Sequence, residues 1–145
     1  MSEVALTING QEVTAEEGMT ILQAARNAGM EIPTLCDLAE LTPFGACRLC
    51  TVEITKGGRS QLVVSCVYSV EEGIDVQTES ERVVKGRKLI LEMLLARAPG
   101  VQALIDYGTK YGVDAGKFSP EPNFCILCGL CVRYCAEVKL SLIHI

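Results

Sequence analysis

Apolar and polar positions alternate from the start of the chain: Val4, Leu6 and Ile8 are separated by Ala5 and Thr7, the period of a half-buried strand. Asn9-Gly10 follows, a pair that accepts positive φ at both positions and so predicts a two-residue hairpin, with Gln11 to Ala15 as the return strand. The period then changes. Ile21, Leu22, Ala24, Ala25 and Ala28 recur at helical spacing behind Thr20 and Gln23, which can form a capping box, and Gly29 stands where a left-handed helix end is expected. Pro33 holds Ile32 extended. Further strands are predicted over Thr51–Thr55, Leu62–Cys66 and Ile74–Thr78. Thr78 and Glu81 suggest a second capping box, opening a longer helix marked by Val83, Ile90, Met93, Leu94 and Arg97. Pro99-Gly100 ends it, a weaker helix covers Val101–Tyr107, and Gly108, Gly112 and Gly116 read as turns. Pro120 and Pro122 make a stiff spacer. These signals predict a small mixed sheet crossed by one helix, then a helical connector.

The cysteines change this picture most. Cys36, Cys47, Cys50 and Cys66 are spaced C-x10-C-x2-C-x15-C, and Cys125, Cys128, Cys131 and Cys135 are spaced C-x2-C-x2-C-x3-C. Disulfides are disfavoured because Met1-Ser2-Glu3-Val4 carries no apolar signal region, and grouped thiols in a reducing compartment are more often metal ligands. Soft sulfur ligands select iron–sulfur clusters or zinc. Zinc sites usually show two close pairs, whereas the first group has one pair and two isolated thiols, which favours a [2Fe–2S] cluster without removing a zinc knot. Small Gly45 and Ala46 let backbone N–H groups approach a cluster; Arg48 either offsets its charge or faces solvent. The second group has the spacing that binds a [4Fe–4S] cubane, with Gly129 keeping the loop tight; in two-cluster ferredoxins the fourth cysteine serves the other cubane.

Charge and motifs exclude other classes. With 145 residues and a net charge of −5, the chain lacks the clustered basic surface of a nucleic-acid binder or of a DNA-binding cluster sensor. Leu89–Ala96 is interrupted by Glu92 and flanked by Arg87, Lys88 and Arg97, so direct membrane insertion is not expected. No dinucleotide fingerprint, P-loop or nucleophile elbow is present, so no catalytic residue is assigned. Asp37 and Glu40, beside the first loop, are candidate docking charges on an otherwise solvated loop.

Thr34-Leu35-Cys36, Gly45-Ala46-Cys47-Arg48-Leu49-Cys50-Thr51-Val52-Glu53 and Ser65-Cys66 resemble the N-terminal [2Fe–2S] domain of a known family. It includes the large iron–sulfur subunit of respiratory NADH dehydrogenase, the diaphorase iron–sulfur subunit of NAD-linked hydrogenases, and the front regions of some formate dehydrogenases and iron-only hydrogenases. The resemblance covers about residues 3–96. It implies an α+β fold with a β-grasp, ferredoxin-like [2Fe–2S] domain over 1–80, a helical connector over 81–119 and a truncated [4Fe–4S] ferredoxin-type segment over 120–139. It implies Cys36, Cys47, Cys50 and Cys66 as ligands of the [2Fe–2S] cluster; Cys125, Cys128, Cys131 and Cys135 are expected as [4Fe–4S] ligands from their spacing. The respiratory members carry a further histidine-and-cysteine [4Fe–4S] site between the two groups, but Leu89–Ser119 contains neither residue type, so a shorter branch is expected.

Residues 140–145, Leu-Ser-Leu-Ile-His-Ile, match the in-frame translation of a transposon mosaic-end adapter. The native sequence is expected to stop near Lys139, which takes His144 off any ligand list. The expected function is a cytoplasmic electron-transfer subunit or domain, working between a flavoprotein subunit that oxidises NAD(P)H and a catalytic oxidoreductase subunit. The alternative is the electron-entry region of a longer catalytic polypeptide, a formate dehydrogenase or iron-only hydrogenase.

Overall fold

The computed structural model describes residues 2–139, so the adapter reading of 140–145 lies outside the described residues. Strands β1 (Glu3–Ile8) and β2 (Gln11–Glu16) form the expected hairpin, with Asn9 and Gly10 at φ 51° and 81°. Helix α1 (Ile21–Asn27) starts at the expected capping box: Thr20 Oγ1 accepts from the Gln23 N–H and Gln23 accepts from the Thr20 N–H. Gly29, at φ 75°, takes the left-handed position after its end. Strands β3 (Thr51–Lys56), β4 (Arg59–Val64) and β5 (Asp75–Gln77) complete a five-stranded sheet of order β2-β1-β5-β3-β4; β1 and β5 run parallel and the other pairs antiparallel. The expected α+β, ferredoxin-like architecture is the one observed.

Three predicted boundaries move, each for a local reason. The return strand of the second hairpin begins at Arg59 rather than Leu62, because Gly57 and Gly58 (φ 56° and 75°) turn the chain in two residues. Polar Arg59-Ser60-Gln61 lie on the open edge and carry no alternation to announce a strand, and Cys66 falls beyond it. The second helix, α2 (Glu81–Arg97), is capped by Ser80 and not by Thr78: Ser80 Oγ accepts from the Val83 N–H. Thr78 is engaged with the Asn9 side chain, donating its N–H to Asn9 Oδ1 and accepting from Nδ2, both at 2.9 Å. The next helix, α3 (Gln102–Tyr111), runs a turn further than expected and takes in Gly108, while Gly112 (φ 60°) caps its end.

Gly108 is helical because α2 passes too close for a side chain. A Cβ there would stand 2.8 Å from Leu95 Cδ1. Alanine would gain up to about 1 kcal/mol in helix propensity but overpack a buried contact at about 1–3 kcal/mol. Gly108→Ala is therefore expected to lower the urea midpoint; an unchanged or higher midpoint would show that Leu95 can yield.

Two buried clusters meet at the first cysteine loop. One lies between the sheet and α1 (Leu6, Ile8, Ile21, Leu22, Val52, Ile54, Val76 and neighbours) and includes Cys50 and Cys66. The other gathers Leu49 with Leu91, Leu95, Ala98, Leu104 and Tyr111 of the helical layer. Thus Leu49 and Cys50, adjacent in sequence, belong to opposite cores. The buried stripe of α2 is Val83, Arg87, Leu91 and Leu95, not the face through Ile90, Met93 and Leu94; Met93 is exposed. The segment Leu89–Ala96 is apolar nearly all round, so periodicity alone left the face ambiguous. The last helix, α4 (Leu130–Glu137), buries none of its residues. Among the described residues, no helix is long and apolar enough to cross a membrane.

Candidate metal centre

The loop between α1 and β3 carries Cys36, Cys47 and Cys50, and the turn after β4 carries Cys66. Hairpin pairing of Thr51 with Val64 brings the last two together, because each cysteine lies just beyond its strand end. Ser65, beside Cys66, donates both its hydroxyl (2.7 Å) and its N–H (3.3 Å) to the Cys50 carbonyl. Cys36, Cys50 and Cys66 are each 1% exposed, and Cys47 is half-buried. Gly45, buried at φ 70° against Val64 and Val67, lets the loop fold tightly before Cys47. The Cys47 N–H then donates to Cys36 Sγ at 3.3 Å.

The four thiols form two pairs. Interaction between the adjacent Cys50 and Cys66 thiols pulls the Cys50 thiol down to about 6 and pushes Cys66 up. Burial pushes Cys47 up to about 11, with the neighbouring Cys36 thiol adding to the rise. Cys36 lies near enough to add to the rise at Cys66. Among the described residues, no three Cys, His, Asp or Glu side chains close on a single-ion site. Two neighbouring pairs suit a body with two metals, each needing two thiolates, better than zinc, which draws four sulfurs to about 2.3 Å from one point. Loading such a site displaces the thiol protons.

Arg48, at φ 62°, is exposed, and its carbonyl accepts from the Thr51 N–H and hydroxyl. The cation that reaches the loop from inside is Arg87, whose side chain is 0% exposed. It donates to the Leu49 carbonyl (3.0 Å), the Thr51 carbonyl (3.0 Å) and the Thr78 carbonyl (3.1 Å), and to Tyr111 Oη (2.8 Å) and Glu79 (2.7 Å). Leu49 and Thr51 flank Cys50, so Arg87 grips the peptide on both sides of that thiol. Burial pushes the Tyr111 hydroxyl up, which keeps it protonated beside Glu79. Sequence reasoning did not assign Arg87 a role. Its signal was position: four residues after Val83 and four before Leu91, an arginine stands in an apolar stripe.

Of the candidate docking charges, Asp37 is taken up by Arg26 at 2.7 Å, an ion pair that ties α1 to the loop; Glu40 is exposed.

The second cysteine group lies at the surface. Cys125 and Cys131 are exposed, and Cys128 and Cys135 are half-buried. Leu127 and Gly129 take φ 57° and 74°, curling the segment so that the Leu127 N–H donates to Cys125 Sγ at 3.4 Å. Cys131 and Cys135 share one face of α4, four residues apart. The spacer before it is pinned: the Glu121 N–H donates to the Ala96 carbonyl at 2.7 Å, and Arg97 meets Glu121 (2.6 Å) and the Cys125 carbonyl (3.3 Å).

Comparison with known proteins shows the family and the fold. A family model described as "2Fe-2S iron-sulfur cluster binding domain" matches residues 1–81. The NADPH-Fe(3+) oxidoreductase subunit alpha of Geobacter sulfurreducens is 35% identical over 93% of this chain and 19% of its own length. The mitochondrial NADH-ubiquinone oxidoreductase 78 kDa subunit of Candida albicans is 33% identical over 95% of this chain and 23% of its own length. The chain thus spans about a fifth of the length of these relatives. A crystal structure of an NAD+-reducing [NiFe]-hydrogenase in the H2-reduced state includes a chain that superposes with a TM-score of 0.79 at 34% identity, covering 95% of this chain and 68% of that one.

Proposed function

Since the chain belongs to the family of 2Fe-2S iron-sulfur cluster binding domains, we propose that it relays electrons within a multi-subunit oxidoreductase, between a flavoprotein that oxidises NAD(P)H and a catalytic subunit. The observation that carries this reading is the pairing of Cys36 with Cys47 and of Cys50 with Cys66, three of the four thiols buried, where the loop before β3 meets the turn after β4. These four hold the [2Fe–2S] cluster. Cys125, Cys128, Cys131 and Cys135 hold a [4Fe–4S] cluster, on the support of their spacing and of the curl that turns an N–H toward sulfur. When bound, such clusters supply one-electron storage and release. The chain's own residues exclude water from the first site, donate the Cys47 N–H to sulfur, and hold a fixed cation, Arg87, behind Cys50. The N–H donor and the cation favour the more negatively charged reduced form, and the exclusion of water opposes it. The division into residues 1–80, 81–119 and 120–139 follows these roles, and a cytoplasmic location goes with this reading.

Anaerobically prepared protein tests it. Iron and acid-labile sulfide in equal amounts are expected, with a [2Fe–2S] electron-paramagnetic signal appearing on reduction. A colourless protein holding zinc would end the proposal.

A second reading rests on the resemblance of the first cysteine loop to the front regions of some formate dehydrogenases and iron-only hydrogenases: these residues would form the electron-entry region of such a longer catalytic polypeptide. The length of the intact reading frame separates the two.

A further inference from the structure

Helix α4 carries two cysteines of the second group yet buries none of its residues, so apolar burial does not fix its position. Charged side chains do. The Arg133 guanidinium donates to the Cys36 carbonyl at 3.2 Å and to the Thr42 carbonyl, and lies over the Phe44 ring, 4.9 Å from its centroid. One turn on, Glu137 accepts from the Thr42 N–H at 2.7 Å and stands 3.7 Å from Arg133. Arg133 is only 12% exposed although its helix is at the surface, so solvent screens its charge weakly. Its fork reaches two carbonyls of the first cysteine loop, and one belongs to Cys36 itself.

On the reading that Cys36 is a [2Fe–2S] ligand, we infer that Arg133 is a positioning residue for both sites: it clamps the Cys36 peptide and fixes the second cysteine segment against the first loop. Two consequences follow from elementary electrostatics. A fixed cation at a ligand's peptide stabilises the form of the cluster that has gained an electron, so it raises the potential of the first site. A fork that spans two carbonyls and stacks on an aromatic face also sets an orientation, which a lysine ammonium cannot do. Glu137 shares the second task only, since its contact is with Thr42 and not with Cys36.

The test uses the whole chain, loaded with iron and sulfide anaerobically, as native protein and as Arg133→Gln, Arg133→Lys and Glu137→Ala. Two quantities are measured: the midpoint potential of the [2Fe–2S] signal against redox mediators, and hydrogen exchange at the Thr42 amide. Arg133→Gln is expected to keep the signal but to lower the ratio of reduced to oxidised cluster at fixed poise about tenfold, equivalent to about 59 mV for one electron. Arg133→Lys is expected to recover most of that shift while Thr42 exchanges faster than in the native chain. Glu137→Ala is expected to speed Thr42 exchange without lowering the potential. A loaded Arg133→Gln protein with native potential would overturn the inference and leave the functional reading intact. A native chain that takes up no [2Fe–2S] cluster would overturn both.

Discussion

Replacing Arg87 with methionine is expected to destabilise the chain by about 3–5 kcal/mol and to strip iron from the first site. The estimate comes from what the guanidinium leaves behind. The carbonyls of Leu49, Thr51 and Thr78 all lose their donor, and a buried polar group without a partner costs about 1–3 kcal/mol. The pairing with Glu79 adds little, because that carboxylate is half exposed. Methionine fills part of the space but offers no donor, so the Cys50 peptide loses its clamp on both sides. Against a typical total stability of about 5–15 kcal/mol, such a loss is severe. Arg87→Lys keeps the charge but cannot span the same carbonyls, and is expected to recover only part of it. Denaturant midpoints, with iron retained per chain after gel filtration, are the measurements; a methionine variant with native midpoint and iron would show that the network is dispensable.

Replacing Cys47 with serine is expected to abolish the [2Fe–2S] signal outright. The half-buried thiol lies beside Cys36 in the first pair, and a serine hydroxyl is a hard, weakly acidic substitute for a soft thiolate. The loss should also loosen the fold around residues 36–66, because binding free energy at a metal site is folding free energy when the ligands are presented by a loop. The Cys50–Cys66 pair sits in the sheet-side core and survives the change, so the cluster-free sheet should persist at a lower melting temperature. Iron attributable to the second group should be retained, which separates local loss from general unfolding. Cys47→Ser protein with a native spectrum and native melting would remove Cys47 from the ligand set.

Much of the fold was legible before any coordinates. The Asn9-Gly10 hairpin, the Thr20–Gln23 capping box and the Gly29 helix end each depend on residues within four positions of one another, and they form as read. The Gly57-Gly58 turn depends on local chemistry as well, but polar Arg59-Ser60-Gln61 on the open edge carry no alternation that marks them as strand. The capping residue of α2 was misplaced for a different reason. Thr78 and Ser80 are equally good caps in sequence, and the choice falls to Ser80 because Asn9, 69 residues earlier, takes Thr78. Gly108 looked like a turn residue until the approach of Leu95 gave it another reason to be glycine.

The sequence by itself determined the two cysteine spacings, the local turns and caps, and the alternation that builds the sheet, because these depend on neighbours that stay neighbours in any conformation. Only the tertiary structure decided which face of α2 is buried, and with it that Arg87 reaches the peptides on either side of Cys50 from 36 and 38 residues away. It likewise decided that Arg133 of α4 meets the Cys36 carbonyl across 97 residues. Long-range contacts of this kind leave no period in the chain. They arise where a guanidinium, costly to bury alone, finds carbonyls that the packed elements have left without partners.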